Sequence, residues 1–233
     1  MNFSDLACDV NERDHAHDAQ SLTVEVFFDF ICPWCMIAKR NLEAAVRQLA
    51  DIRPDVQPNV LWRSHQLLPE TPMSGLPYQT FYLARLGSAE AVSARRAQVQ
   101  RAGGDVGIRF AFERIELLPN TAAAHALVGW AAAHGTSAQH ALLVERLFSA
   151  YFVDGANIGD WRVLETIGMQ CGLECADRVR HLDDAPCETA RVLRKAYYHI
   201  HGVPHFLFNG TIGLSGAHSS SVVLDAMLRS LQH

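Results

Sequence analysis

Residues 22–30, Leu-Thr-Val-Glu-Val-Phe-Phe-Asp-Phe, run through Ile31 straight into Cys32-Pro33-Trp34-Cys35, and a helical pattern follows at once. This junction constrains the fold more than any other stretch. Val24, Val26, Phe28 and Phe30 fall on one side of a strand, with Glu25, Phe27, Asp29 and Ile31 on the other. Apolar residues on both sides predict an inner strand covered on both faces, as in α/β folds. Residues 36–50 carry Ile37, Leu42, Ala45, Val46 and Leu49 as one apolar helical stripe. Residues 53–59, with Pro54 and Pro58, are expected to form a turn, and Val60-Leu61-Trp62 a short second strand. Strand, helix and strand in this order make a βαβ unit with a right-handed crossover.

The pattern then changes. Pro69, Pro72, Gly75 and Pro77 lead into alanine-rich amphipathic sequence, with helices expected over 78–86, 89–102, 121–134, 137–151 and 160–171. A helix over 189–200 ends before Gly202. Strand character returns at 203–208, followed by an Asn209-Gly210 turn and a second run over 211–214, which together read as a hairpin. A helix over 219–231, bearing Val222, Val223, Met227 and Leu228, closes the chain. No internal repeat is evident. These patterns divide the chain into a polar tail at 1–20, a discontinuous α/β domain of 21–68 and 187–233, and a helical insertion of 69–186.

Of the 233 residues, 49% are hydrophobic and 19% charged, which is apolar material enough for a large core and excludes a wholly disordered chain. A net charge of −5 with scattered basic residues argues against a nucleic-acid partner, which needs a concentrated positive stripe. No run approaches the roughly 18 apolar residues of a membrane span. The N-terminus lacks the basic start and apolar run of a secretory signal. A cytoplasmic protein without membrane or nucleic-acid partners, monomeric or homodimeric, is therefore expected. In that compartment paired cysteines are more often catalytic or metal-binding than structural.

Cys32 and Cys35 are the strongest chemical signal. With Cys32 as N-cap, Pro33 takes the first helical position, where its missing N–H costs nothing. Two cysteines three apart on a first turn are close enough to close a disulfide. The positive end of the helix dipole favours a thiolate at Cys32, making it the nucleophile, with Cys35 one turn deeper placed to resolve. The alternative, half of a zinc site, requires a second pair of ligands; Pro33 and Trp34 between the cysteines and the helix starting there fit redox work better, and no metal is expected.

The chain resembles the DsbA-family thioredoxin-fold oxidoreductases, in the FrnE-like branch related to 2-hydroxychromene-2-carboxylate isomerases. The resemblance is carried by the motif from Phe28 to Cys35, by Trp62-Arg63, by Pro119-Asn120-Thr121, and by the run from Leu147 to Phe152 with Asp154-Gly155. Ile158-Gly159-Asp160, Gly202-Val203-Pro204 and Ser215-Gly216-Ala217 complete it. It implies a thioredoxin-like fold with a large inserted α-helical domain. It also implies that Pro204 follows a cis peptide bond and faces the cysteine pair, so that the Val203 N–H and C=O can pair with an extended substrate chain. His205, next in sequence, is a candidate for tuning the thiolate. One departure stands out: where many thioredoxin-like enzymes place an acid on the first strand, six residues before the nucleophile, this chain has Val26. Asp29 and Glu25 lie nearby but are differently placed, which leaves open the proton acceptor for Cys35.

The resulting expectation is a thiol–disulfide oxidoreductase acting on protein or small-molecule thiols and disulfides. Cys32 and Cys35 do the chemistry, Pro33, Trp34 and Asp29 support it, and Val203, Pro204 and His205 bind substrate. It requires no cofactor, with glutathione as a candidate redox partner. The rival readings are a glutathione-dependent isomerase of small aromatic substrates and a chaperone-like module using the helical region as an apolar groove. Cys171, Cys175 and Cys187 form a second cluster, readable as small buried residues, an auxiliary redox pair or a metal site. Cys8 is expected to be a free thiol in the tail, and Arg95-Arg96 and residues 191–195 to be solvated helix faces rather than binding patches.

Overall fold

The computed structural model describes residues 20–175 and 200–232. Strand β1 (Gln20–Phe28) pairs in parallel with β2 (Val56–Ser64) and antiparallel with β5 (His205–Phe208), which pairs antiparallel with β6 (Ile212–Ser215). The order β2-β1-β5-β6 puts β1 inside the sheet. Its alternation is accordingly apolar on both faces, and Val24, Val26, Phe27 and Phe28 are all buried. Asn209 at φ 47° and Gly210 at φ 70° make the tight turn between β5 and β6, a conformation that asparagine and glycine tolerate best.

Between β1 and β2 lies α1 (Pro33–Ile52). It packs with the C-terminal α7 (Ser220–Ser230) over one part of the sheet, where Leu42, Leu49, Val223 and Met227 close on Leu22, Val24, Val26, Phe206 and Phe208. Helix α1 begins at Pro33, with Cys32 as its N-cap, so Cys35 lies within its first turn. One boundary differs from the sequence expectation. Residues Val56 to Asn59, expected as turn, belong to β2. Pro58 misled because proline lacks the ladder donor, but β2 is an edge strand, where that loss is tolerated.

The described residues that follow β2, up to 175, are mainly helical. They contain α2 (Tyr78–Leu86), α3 (Ala89–Gly104), α4 (Ala122–His134), α5 (Ser137–Ser149) and α6 (Trp161–Gln170), with two-residue strands β3 (Leu76–Pro77) and β4 (Leu117–Leu118) pairing antiparallel. Side-chain oxygens of Ser88, Thr136 and Asp160 accept N–H groups at the starts of α3, α5 and α6. The single helix expected over 137–151 instead loosens after Ser149 into a π turn, Ala150–Asp154. Gly155 ends it at φ 74°, where an added Cβ would meet the Arg114 carbonyl oxygen at 2.4 Å, so the chain reverses where no side chain fits.

The helical core is continuous with the motif. Leu127, Val128, Leu147 and Phe148 share one buried cluster with Phe28, Phe30, Cys32, Cys35 and Met36. A charged cluster binds the two regions beside this core. Lys39, buried on α1, pairs with Glu43 and lies 2.7 Å from Glu145 of α5, while Arg40 pairs with Glu145 and lies 3.1 Å from Glu43. Cys8, Cys187, the tail over 1–19, the basic run 191–195 and all but the last residue of the helix expected over 189–200 lie outside the described residues. Among the described residues no helix is long and apolar enough to cross a membrane.

Candidate active site

Cys32 is the N-cap of α1, with extended backbone and no side-chain cap of its own, and Pro33 occupies the next position. The Cys32 N–H donates to the Asp29 carbonyl (3.1 Å) and the Cys35 N–H to the Cys32 carbonyl (3.0 Å), so the tetrapeptide closes as a turn at the strand-to-helix junction. The two sulfurs sit within hydrogen-bonding reach of each other. Both cysteines are free and largely buried, Cys32 at 6% exposure and Cys35 at 2%. They are not equivalent. Cys32 lines a cleft of about 520 Å³, and Cys35 does not. Burial, reinforced by the hydrogen bond and charge of Cys32, pushes the Cys35 thiol well above its ordinary range, against an opposing bond from the Asp29 backbone.

The Cys32 thiol points to the Val203 carbonyl at 3.7 Å, and the Val203–Pro204 peptide bond is cis. Val203 lines the cleft beside Cys32. His205, expected to bind substrate, lies on β5. It pairs with Phe27 across the strands, its ring lies 6.0 Å from the Phe27 ring, and its Nδ1 is 2.7 Å from the Ser215 hydroxyl; it is absent from the cleft lining.

Asp29 is fully buried beneath the motif. Its carboxyl group accepts the Leu67 N–H at 2.7 Å and lies 3.1 Å from Nε2 of His125, a buried residue of α4. The His125 Nδ1 has no hydrogen-bond partner among the described residues. Nothing local in the sequence marks His125, a lone histidine in an apolar helix, because its partner lies 96 positions away. Glu25 is engaged elsewhere, 2.7 Å from Arg63 of β2, and Val26 packs in the core between the sheet and α1. Of the acids near the motif in sequence, Asp29 is the one whose backbone bonds the Cys35 sulfur.

The far wall of the cleft comes from α2 and α3: Tyr78, Tyr82, Arg85, Val92, Arg95 and Arg96. Arg95 and Arg96, read in the sequence as a solvated face, here stand over the motif and its neighbours. The Arg95 guanidinium lies 5.7 Å from the Trp34 ring, and that of Arg96 lies 5.3 Å from Tyr78. Burial pushes the Tyr78 hydroxyl up to about 12 against the opposing pull of Arg96. What hid these residues is the weak apolar stripe of α3, whose position is set by docking against α1 and α2. Cys171 and Cys175 are both buried and free near the end of α6, and burial raises both thiols. Among the described residues no group of three or more His, Cys, Asp or Glu is placed to hold a metal ion.

Comparison with known proteins gives this geometry a context. Residues 23–228 match the model of the DSBA-like thioredoxin domain. A probable DsbA oxidoreductase from Streptomyces coelicolor superposes with a TM-score of 0.79 at 24% identity, over 91% of each chain. A 2-hydroxychromene-2-carboxylate isomerase superposes with a TM-score of 0.60 at 14% identity, over 89% of this chain and 95% of its own. The cytosolic disulfide reductase DsbM from Pseudomonas aeruginosa, with GSH, gives 0.54 at 16%, over 90% and 96%. At these identities the superpositions show a shared fold. A sequence search among curated proteins found no match.

Proposed function

Because the chain belongs to the DSBA-like thioredoxin-domain family, we propose that it is a thiol–disulfide oxidoreductase working through Cys32 and Cys35. The observation that carries this is the asymmetry of the pair: one sulfur on the cleft wall at a helix N-terminus, its twin buried behind it. The Cys32 thiolate attacks a substrate disulfide, forming a mixed disulfide and releasing one substrate thiolate. Cys35 then gives up its proton and attacks the Cys32 sulfur, forming the Cys32–Cys35 bond and releasing the second substrate thiol. Two electrons pass from the dithiol to the substrate, and the reverse sequence oxidises a dithiol.

The surroundings support each step. The attacking sulfur belongs to the N-cap of α1, at the positive end of the helix dipole. The raised Cys35 thiol keeps the second sulfur protonated, and so unreactive, until the mixed disulfide has formed. Asp29, held by Leu67 and His125, fixes the turn whose carbonyl receives the Cys32 N–H. The Val203 backbone, beside Cys32, offers an edge for an extended substrate. Two equivalents of a thiol such as glutathione would return the oxidised pair to the dithiol, the two thiols leaving joined as their own disulfide.

Replacing Cys32 by Ser abolishes disulfide reduction, whereas Cys35→Ser leaves the first step and traps mixed disulfides detectable by mass. Reduction that survives Cys32→Ser excludes the mechanism.

A further inference from the structure

The protein carries a net charge of −5, yet the residues lining the Cys32 cleft include Arg85, Arg95 and Arg96 and no Asp or Glu. None of these three arginines pairs with a carboxylate among the described residues. Their partners are neutral. Arg95 donates to Gln98 at 2.9 Å, Arg96 to Gln79 at 2.8 Å, and all three guanidinium groups lie over rings: Arg85 over Phe81 at 5.9 Å, Arg95 over Trp34, and Arg96 over Tyr78 and Phe112. A guanidinium held over a ring face keeps N–H groups for a ligand, and five donors are not used up by one glutamine. The cleft volume suits a small molecule. An arginine fork in such a cleft matches a carboxylate in both charge and geometry.

We propose that Arg85, Arg95 and Arg96 make the cleft selective for low-mass disulfides bearing carboxylates near the sulfur, and that these are the substrates Cys32 attacks. The inference rests on the exchange reading given above and adds the class of disulfide. The reaction is balanced by the enzyme's own dithiol: one carboxylate-bearing disulfide becomes two thiols as Cys32 and Cys35 become a disulfide.

The test uses the pre-reduced full chain in single turnover against three disulfides of similar size: 3,3′-dithiodipropionate, 2-hydroxyethyl disulfide and cystamine, respectively anionic, neutral and cationic. Each rate constant is divided by that for a simple thiolate with the same disulfide. The anionic disulfide is expected to be fastest and the cationic slowest. In Arg95→Gln/Arg96→Gln the anionic-to-neutral ratio falls about tenfold, the loss of one or two charge-assisted bonds. Arg101→Gln, which removes a charge from α3 outside the cleft lining, leaves the ratio in place. For the wild type alone, raising ionic strength from about 0.01 M to about 0.15 M lowers the ratio as the Debye length shrinks from ~30 Å to ~8 Å. Equal corrected rates for the three disulfides overturn the selectivity while leaving the exchange reading standing. So does an equal fall in Arg101→Gln, which would reduce the effect to overall charge. Failure of all three disulfides to react overturns the exchange reading itself, and the selectivity with it.

Discussion

The arginines of the cleft and the cations of α1 are the same kinds of residue in opposite circumstances. Lys39 and Arg40 are met by Glu43 and Glu145, and the cluster ties α1 to α5. Arg95 and Arg96, on α3, are met by glutamines and aromatic rings. Charge matched within the chain serves the fold. Charge left without a counter-ion beside a reactive sulfur gains its full interaction only when something enters. The difference is one of energetics: a buried ammonium such as that of Lys39 costs several kcal/mol unless paired, whereas a half-exposed guanidinium keeps enough water to wait.

Three measurements sharpen or break this contrast. The largest effect is expected in the matched cluster. Glu145→Gln leaves Lys39 and Arg40 with Glu43 alone and should lower the unfolding free energy by roughly 2 kcal/mol, read from the denaturant midpoint. An unchanged midpoint would mean the cluster is decorative. A smaller effect is its pH dependence. Burial by itself would raise the Glu145 carboxyl, but the bonds and charges of Lys39 and Arg40 outweigh it and hold the group below its ordinary range. A carboxyl lowered on folding contributes stability above its unfolded value, near pH ~4.3, and loses it as pH falls through the folded value. The stability gap between wild type and Glu145→Gln should therefore narrow on acidification below that point; a gap that widens contradicts the assignment. Smallest is the effect of Arg95→Gln/Arg96→Gln on folding. With no internal carboxylate to abandon among the described residues, the change should stay within about 0.5 kcal/mol per site. A loss as large as that of Glu145→Gln would make the cleft arginines structural.

The contrast also explains which features could be read from the sequence. The strand, the cysteine turn, the helix and the Asn209-Gly210 hairpin are local: each is specified by residues within one or two turns of one another, so pattern reveals them. The start of β2 was hidden because Pro58 carries the same local signature in a turn and in an edge strand, and only the sheet order distinguishes them. The π turn after Ser149 depends on Gly155 approaching Arg114, forty-one positions earlier in the chain. The cysteine pair of the site was legible. The cleft was not, because Arg95 and Arg96 bear on Trp34 from a different element, and the contact of His125 with Asp29 likewise joins α4 to the end of β1. In both cases the chemistry-bearing residue sits in an alanine-rich helix whose own periodicity says nothing of what it will face.

The placement of Arg95 over Trp34 has a consequence for engineering. The indole belongs to the four-residue turn that holds the sulfurs, and the guanidinium to a helix that the α/β framework does not contain. Transplanting Cys-Pro-Trp-Cys into a smaller scaffold would therefore carry over the electron exchange and leave its discrimination behind. Conversely, variation confined to α2 and α3 could re-address the same sulfur to new customers without rebuilding the sheet that aims it.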